Sequence, residues 1–250
     1  PYAGHSWAAG HAGFASGNNQ ESSSESMNFA TSLILYGQAT GNDEIRDLGI
    51  YWHSTEAEAI RHYWFDLDHE VFPDGFDHTC VGMVWGDGAS YGTWWTANPE
   101  EIHGINFLPL NGGSLYLGRD PEYILANLAD LKASNRNFHQ AGFPGDPESF
   151  DRWADILAEF LALADPQAAA AQLGTISESE LGETKTHTRQ WIGALGELGT
   201  FDSKVRSNHV TAVAFEKAYV VYNPTDKDLP VVFSDGKQLS APPGLSTSKR

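Results

Sequence analysis

Cysteine is almost absent. Cys80 stands alone among 250 residues, which excludes a disulfide within the chain. Basic residues are scarce too: 15 Lys and Arg against 33 Asp and Glu, a formal net charge of −18. No basic patch is available to neutralise phosphate, which argues against nucleic acid as a partner and equally against an anionic membrane surface. Neutral substrates stay open. No apolar run approaches the ~20 residues of a membrane span. The usual metal signatures are missing: there is no His-x-x-x-His, no Asp-x-Asp-x-Asp loop and no second cysteine, so neither a metal nor a cofactor is expected. Ser6 follows His5, but no Gly-x-Ser-x-Gly elbow supports a serine nucleophile. No signal-peptide pattern is expected within this chain. The chain opens at Pro1 directly into PYAGHSWAAG, which reads as a fragment or a processed product.

What the chain does have is apolar and aromatic mass. Hydrophobic residues make up 41%, enough for a sizeable core, and aromatics 12%, with 8 Trp and 9 Tyr. Tryptophan suits cores, and it also makes flat platforms for the apolar faces of sugars. Residues 1–20 read as loop. A helix starts at Ser22 or Ser24, with serine as N-cap and acids in its first turn. Its stripe is Met27, Ala30, Ile34 and Gly37, and it stops near Gly41. A second helix is predicted over 43–65, with the stripe Ile45, Leu48, Trp52, Glu56, Ile60 and Tyr63. Residues 66–114 lack helical periodicity and read as short strands and loops, with a short helix in PEEIHGINFLPL ended by Pro109. Further helices are predicted over 120–134, 147–163, 166–173 and 186–198, paired as hairpins. After Gly199 the pattern turns to β-branched alternation, with turn signals at Asn223-Pro224 and Asp235-Gly236. The fold class is therefore mainly α, residues 1–200, with a small antiparallel β segment over 201–250. The tail GLSTSKR is expected to fray.

The run NNQESSSESMNFA, residues 18–30, holds Glu21 and Glu25 among amides and hydroxyls. On a helix or its first turn these two share a face that Asn28 extends, with Cβ atoms roughly 5–6 Å apart. Gln20 and the three serines are candidate donors to the carboxylates. Either the acids are a solvated helix N-terminus or they are catalytic. Glycoside hydrolysis needs two carboxyls flanking the bond, about 5–5.5 Å apart for retention and 6.5–9.5 Å for inversion. Neighbours on one face cannot flank a bond, so one would be the base, the other its partner, and the acid would come from elsewhere. Trp85, Tyr91, Trp94 and Trp95 crowd eleven residues around Asp87, as either a core strand or an open sugar-binding cleft. His103 and Asn106 are candidate hydroxyl-binding groups. Glu56, on its apolar stripe, is either a buried satisfied acid or a cleft acid.

GHSWA followed by NNQESSSES resembles the signature of glycoside hydrolase family 81, the endo-β-1,3-glucanases. LGIYWHSTEAEAIRHYWFD, YGTWWTANPEEIHGINFLPL and VVYNPTDKDLPVVFSDG resemble that family's later blocks, in order. The resemblance covers nearly the whole chain. It implies an (α/α)6 toroid, of which this chain would supply the C-terminal half, and secretion of the enzyme. It implies hydrolysis of internal β-1,3-glucosidic bonds with inversion and without metal or cofactor. Glu21 then matches the general base and Glu25 its close partner, or the two roles are reversed. His5, Trp7, Asn19, Gln20, Asn28, Glu56, Trp85, Asp87, Tyr91, Trp94, Trp95, His103 and Asn106 are the expected substrate-binding set. The family's general acid, an aspartate upstream of GHSWA, has no counterpart here. The expected partners are a β-1,3-glucan and the N-terminal part of the same enzyme.

Overall fold

A computed structural model describes Gly13 and residues 15–250. Among the described residues the chain is mainly helical, with small antiparallel sheets. Strand β1 (Asn19–Glu21) leads straight into helix α1 (Ser23–Thr40), and α2 (Asp43–Tyr63) returns antiparallel to it. Strands β2 (Met83–Trp85) and β3 (Gly88–Ser90) form a tight hairpin. Helix α3 (Pro99–Gly104), a 3₁₀ helix (Gly112–Arg119), α4 (Pro121–Gln140), α5 (Ala154–Ala162), α6 (Pro166–Gln172) and α7 (Lys185–Leu198) follow. Five strands close the chain: β4 (Ala212–Ala214), β5 (Ala218–Asn223), β6 (Leu229–Val232), β7 (Gln238–Ala241) and β8 (Gly244–Lys249).

The α1–α2 hairpin is closed by Gly41 in the left-handed conformation (φ 69°) and by Asn42, whose side chain accepts the Ile45 amide. Two glycines let the helices cross closely. A Cβ on Gly37 would lie 2.4 Å from the Arg46 nitrogen, and one on Gly49 would lie 2.8 Å from the Ile34 nitrogen. The predicted stripes hold in part. Met27, Ala30, Gly37, Glu56 and Ile60 are buried, whereas Leu48 and Tyr63 face solvent.

One core runs through every helix except α3. Ile60, Trp64, Phe107, Leu110, Ile124, Leu131, Ile156, Phe160 and Ile192 lie inside it, and Phe107 stacks on Phe160 at 3.8 Å. A second, smaller core of Tyr219, Val221, Val231, Phe233 and Ala241 sits among the terminal strands. Phe215 belongs to the larger core, with Val213 and Val220 packed on it, so the strands rest on the helices.

Three predictions need correcting. The helix expected over 147–163 begins only at Ala154. Before it, Asp151 accepts the Asp146 amide and Trp153 takes φ 51°, so side-chain bonds close a loop where a helix would have run. Helix α4 continues past Ser134 to Gln140, because Asn135 is buried and donates to the Ser149 carbonyl. The tail does not fray: 244–249 is β8, paired along the whole of β5, and Arg250 binds the Asp202 carboxylate.

Candidate active site

The site begins with a three-residue strand. β1 pairs antiparallel with β2, with Asn19 opposite Trp85, Gln20 opposite Val84 and Glu21 opposite Met83. Alternation along a strand sends Asn19 and Glu21 to one face and Gln20 to the other. Gln20 turns inward and donates to the Glu56 carboxylate at 3.4 Å. Ser22 then adopts φ 66°, which reverses the chain into α1 and places Glu25 in the first helical turn. Glu21 therefore belongs to a strand and Glu25 to a helix. They do not share a helix face, as the spacing predicted, but the turn at Ser22 brings both to one cleft.

The serines have a different task from the one expected. Ser22 and Ser24 donate to the Ile105 carbonyl at 3.2 and 3.0 Å, and Ser24 also reaches the Leu108 carbonyl at 2.6 Å. Ser23 donates to Asn106 at 2.9 Å, and Asn106 in turn donates to the Val81 carbonyl. These bonds pin the strand-to-helix junction onto the segment after α3. The serines and Gln20 are thus committed to the scaffold and do not serve the catalytic candidates.

Glu21 receives its donor from across the cleft. Its Oε1 accepts the backbone amide of Trp94 at 3.0 Å, and the Trp94 indole donates to Asn19 Oδ1 at 3.2 Å. The loop carrying Trp94 and Trp95 is held by Thr93, whose hydroxyl oxygen accepts the Thr96 amide at 2.9 Å. It leads into Asn98, the N-cap of α3. Asn19, Glu21, Ser22, Glu25, Trp94, Trp95 and Ile105 line a cavity of about 310 Å³. Each of the two tryptophans is 54% exposed, so both present indole surface to the cleft. Trp85 meets Trp94 edge-on at 5.3 Å, and Trp153 packs beside Trp95 at 5.9 Å. Ile105 and Trp153 had not been expected here. Ile105 had only its place beside Asn106 as a signal, and Trp153 had none.

Several expected ligand-binding residues lie elsewhere. Glu56, His103 and Asn106 are fully buried, and Gln20 nearly so. These four shape the site from behind and cannot touch a sugar in this structure. Burial lowers His103 to about 4, so the ring is neutral, and it bridges Asn127 (2.9 Å) and the Tyr91 hydroxyl (3.1 Å). Tyr91 stacks on His78 at 3.5 Å behind the hairpin and does not line the cavity. Asp87 is exposed at the tip of the β2–β3 hairpin, outside the lining, so neither it nor Glu56 faces the two glutamates. Asn28 accepts from Asn111 at 2.6 Å and opens on a separate cavity of about 1030 Å³. His5 and Trp7 lie outside the described residues.

The site therefore offers two carboxylates, one of them oriented by a backbone amide, beside an aromatic wall. Such a pair can take a proton from water next to a ring-shaped, apolar-faced ligand.

Comparison with known proteins gives the same direction. The profile of the Glycosyl hydrolase family 81 C-terminal domain matches residues 1–192. A glucan endo-1,3-beta-D-glucosidase from Thermobifida fusca is 47% identical over 98% of this chain and 32% of its own length. One from Acetivibrio thermocellus is 44% identical over 97% of the chain and 31% of its own length. A solved family 81 glycoside hydrolase from Clostridium thermocellum superposes with a TM-score of 0.90 at 43% identity, covering 99% of this chain and 34% of that one. The chain thus spans about a third of the length of the relatives it matches.

Proposed function

Since this chain belongs to glycoside hydrolase family 81, we propose that it forms the C-terminal part of the catalytic domain of an endo-β-1,3-glucanase. Glu21 is the general base that activates water, and Glu25 is its close partner. The reaction inverts the anomeric carbon. The general acid comes from the other side of the cleft, from a part of the enzyme outside this chain, and the assembled domain is an (α/α)6 toroid. The enzyme acts outside the cell on glucans of the laminarin type. The observation that carries this reading is the shared cleft. Glu21 is fixed by the Trp94 amide, Glu25 stands across the Ser22 turn, and Trp94 and Trp95 line the cavity beside both.

The division of roles follows from the surroundings. A base that takes a proton from water must hold one carboxylate oxygen steady and present the other. Glu21 does this, with Oε1 bonded and the side chain half-buried. Glu25 is exposed and forms no ion pair among the described residues, which suits a group that orients water or sugar hydroxyls. No step calls for a metal ion or an organic cofactor.

Laminarin titration monitored by tryptophan fluorescence tests the sugar platform on this chain itself. Stacking of one glucose face on an open indole contributes about 1–2 kcal/mol, so Trp94→Ala or Trp95→Ala is expected to weaken binding about tenfold. Unchanged affinity in both variants would overturn the platform.

A further inference from the structure

Away from the cleft, three metal-ligating side chains converge between α5 and α7. Glu159 projects from α5. Glu183 lies just before α7, and His187 is in its first turn, one helical turn further on. One ligand atom from each lies within 4.8 Å of the other two. His187 Nδ1 is 2.8 Å from Glu183 Oε2 and 3.4 Å from Glu159 Oε1.

Glu159 makes this more than a pair of acids beside a histidine. It is fully buried, and neither of its carboxylate oxygens accepts a hydrogen bond. The Thr188 hydroxyl beside it is the one nearby neutral donor, and it is shared with the Thr184 carbonyl, to which it donates at 3.2 Å. A buried carboxylate without donors is costly unless a cation faces it. The neighbours that face this one are a second carboxylate and an imidazole, both metal ligands. Meanwhile the α5 backbone at this point is fixed: the Trp191 indole donates to the Glu159 carbonyl at 3.1 Å.

We propose that Glu159, Glu183 and His187 form a binding site for one divalent cation of the zinc class, which fastens α5 to α7. Two carboxylates and one imidazole are a common zinc donor set, and the imidazole disfavours calcium and magnesium, which prefer oxygen alone. Ligand bonds of roughly 2.0–2.2 Å in a tetrahedron put donor atoms about 3.3–3.6 Å apart. The His187–Glu159 distance of 3.4 Å already fits, and the His187–Glu183 pair has only to open by about half an ångström. The His187 side chain is 37% exposed, which leaves an entry path and room for water as the fourth ligand. The Glu183-x-x-x-His187 spacing is the signal in the sequence, because the residue just before the N-cap Thr184 lies over the first turn of α7.

The test uses the whole chain after chelator treatment, with ZnCl2 as the probe. Equilibrium dialysis with metal analysis should find one Zn²⁺ per chain. At about a hundredfold excess over Kd the melting temperature should rise by roughly 5–10 °C. His187→Ala changes a partly exposed side chain, and Glu183→Gln keeps the shape of a mostly buried one, so both are expected to fold. Each should weaken zinc binding at least tenfold and abolish the thermal shift, while Ca²⁺ and Mg²⁺ leave the parent chain unmoved. Zinc taken up equally by His187→Ala would place it on other histidines and overturn the site. No saturable uptake would overturn it as well, and an equal response to Ca²⁺ would overturn the assignment to the zinc class.

Discussion

The backbone amide of Trp94 donates to Glu21 Oε1 at 3.0 Å, while the indole of the same residue donates to Asn19 two positions before Glu21. One tryptophan is thus tied at two points to the strand that carries the proposed base. The sugar platform and the base cannot move independently.

Removing the second tie should loosen the first. Asn19→Ala deletes the acceptor for the indole, a neutral hydrogen bond worth about 1 kcal/mol. In the assembled enzyme, kcat/KM for laminarin is expected to fall about fivefold. Steady-state kinetics would check this, with a circular dichroism melt to show that the fold is kept.

The crossing of α1 and α2 depends on glycine. Gly37→Ala places a Cβ 2.4 Å from the Arg46 nitrogen, where backbone has to give way. The expected loss is about 1–3 kcal/mol, or a melting temperature lower by roughly 2–10 °C. A thermal melt decides it. An unchanged value would mean that the two helices have slack at their crossing.

Glu100 should leave a signature in the pH dependence of stability. It is fully buried in the first turn of α3, and burial raises its carboxyl to about 7 although the Arg152 amide donates to it. Asp151 and His139 are the other charged groups that act on it. Its folded value lies above its unfolded value near 4.5. Between these two pH values the native state therefore holds the extra proton, and stability falls as pH rises. Glu159, raised to about 7 by burial, acts in the same sense, while His103, lowered to about 4, acts in the opposite sense. The whole-protein profile mixes these contributions, so the comparison has to be with a variant. Glu100→Gln is expected to gain stability over the parent progressively from pH 4.5 to 7, on the order of 1 kcal/mol or more by the upper end. Parallel melts across that range read the difference directly.

The α1–α2 hairpin shows an apolar outer surface. Phe29, Leu35, Tyr36, Leu48 and Tyr51 are about half exposed on it. Patches of this kind are covered by a partner or lead to self-association. The isolated chain is expected to self-associate at tens of micromolar in sedimentation velocity. Tyr36→Lys combined with Leu48→Lys should return it to the monomer.

Much of this was legible in the sequence. Helices α1, α2, α4 and α7 carry long apolar stripes; Asn42 and Thr184 cap α2 and α7 with their side chains, whereas Ser22, expected as the cap of α1, and Asp120 at α4 make no side-chain cap bond. Strand β1 was not legible. Three residues are too few to show alternation, and Asn19-Gln20-Glu21 contains no apolar position, so the pairing with β2 across more than sixty residues decided it. The same long-range pairing separates Gln20 from Glu21. Sequence neighbours among amides and acids looked like one hydrogen-bonded group, yet they face opposite sides of a strand. His103 and Asn106 were singled out by residue type alone, and their burial depends on the packing of α3 against α4. The Glu159 cluster escaped because its third member lies more than twenty residues away from the other two.

Glu21 is proposed here as the base of a glucanase whose acid lies outside this chain. The most direct test is laminarin turnover by this chain joined to the upstream part of the catalytic domain, comparing the parent with Glu21→Gln. Loss of the base is expected to lower kcat about 10²–10⁴-fold while laminarin binding stays within a few fold. The chain without its upstream part should bind laminarin but not cleave it. Turnover by Glu21→Gln within tenfold of the parent, or cleavage by the isolated chain, would contradict the account.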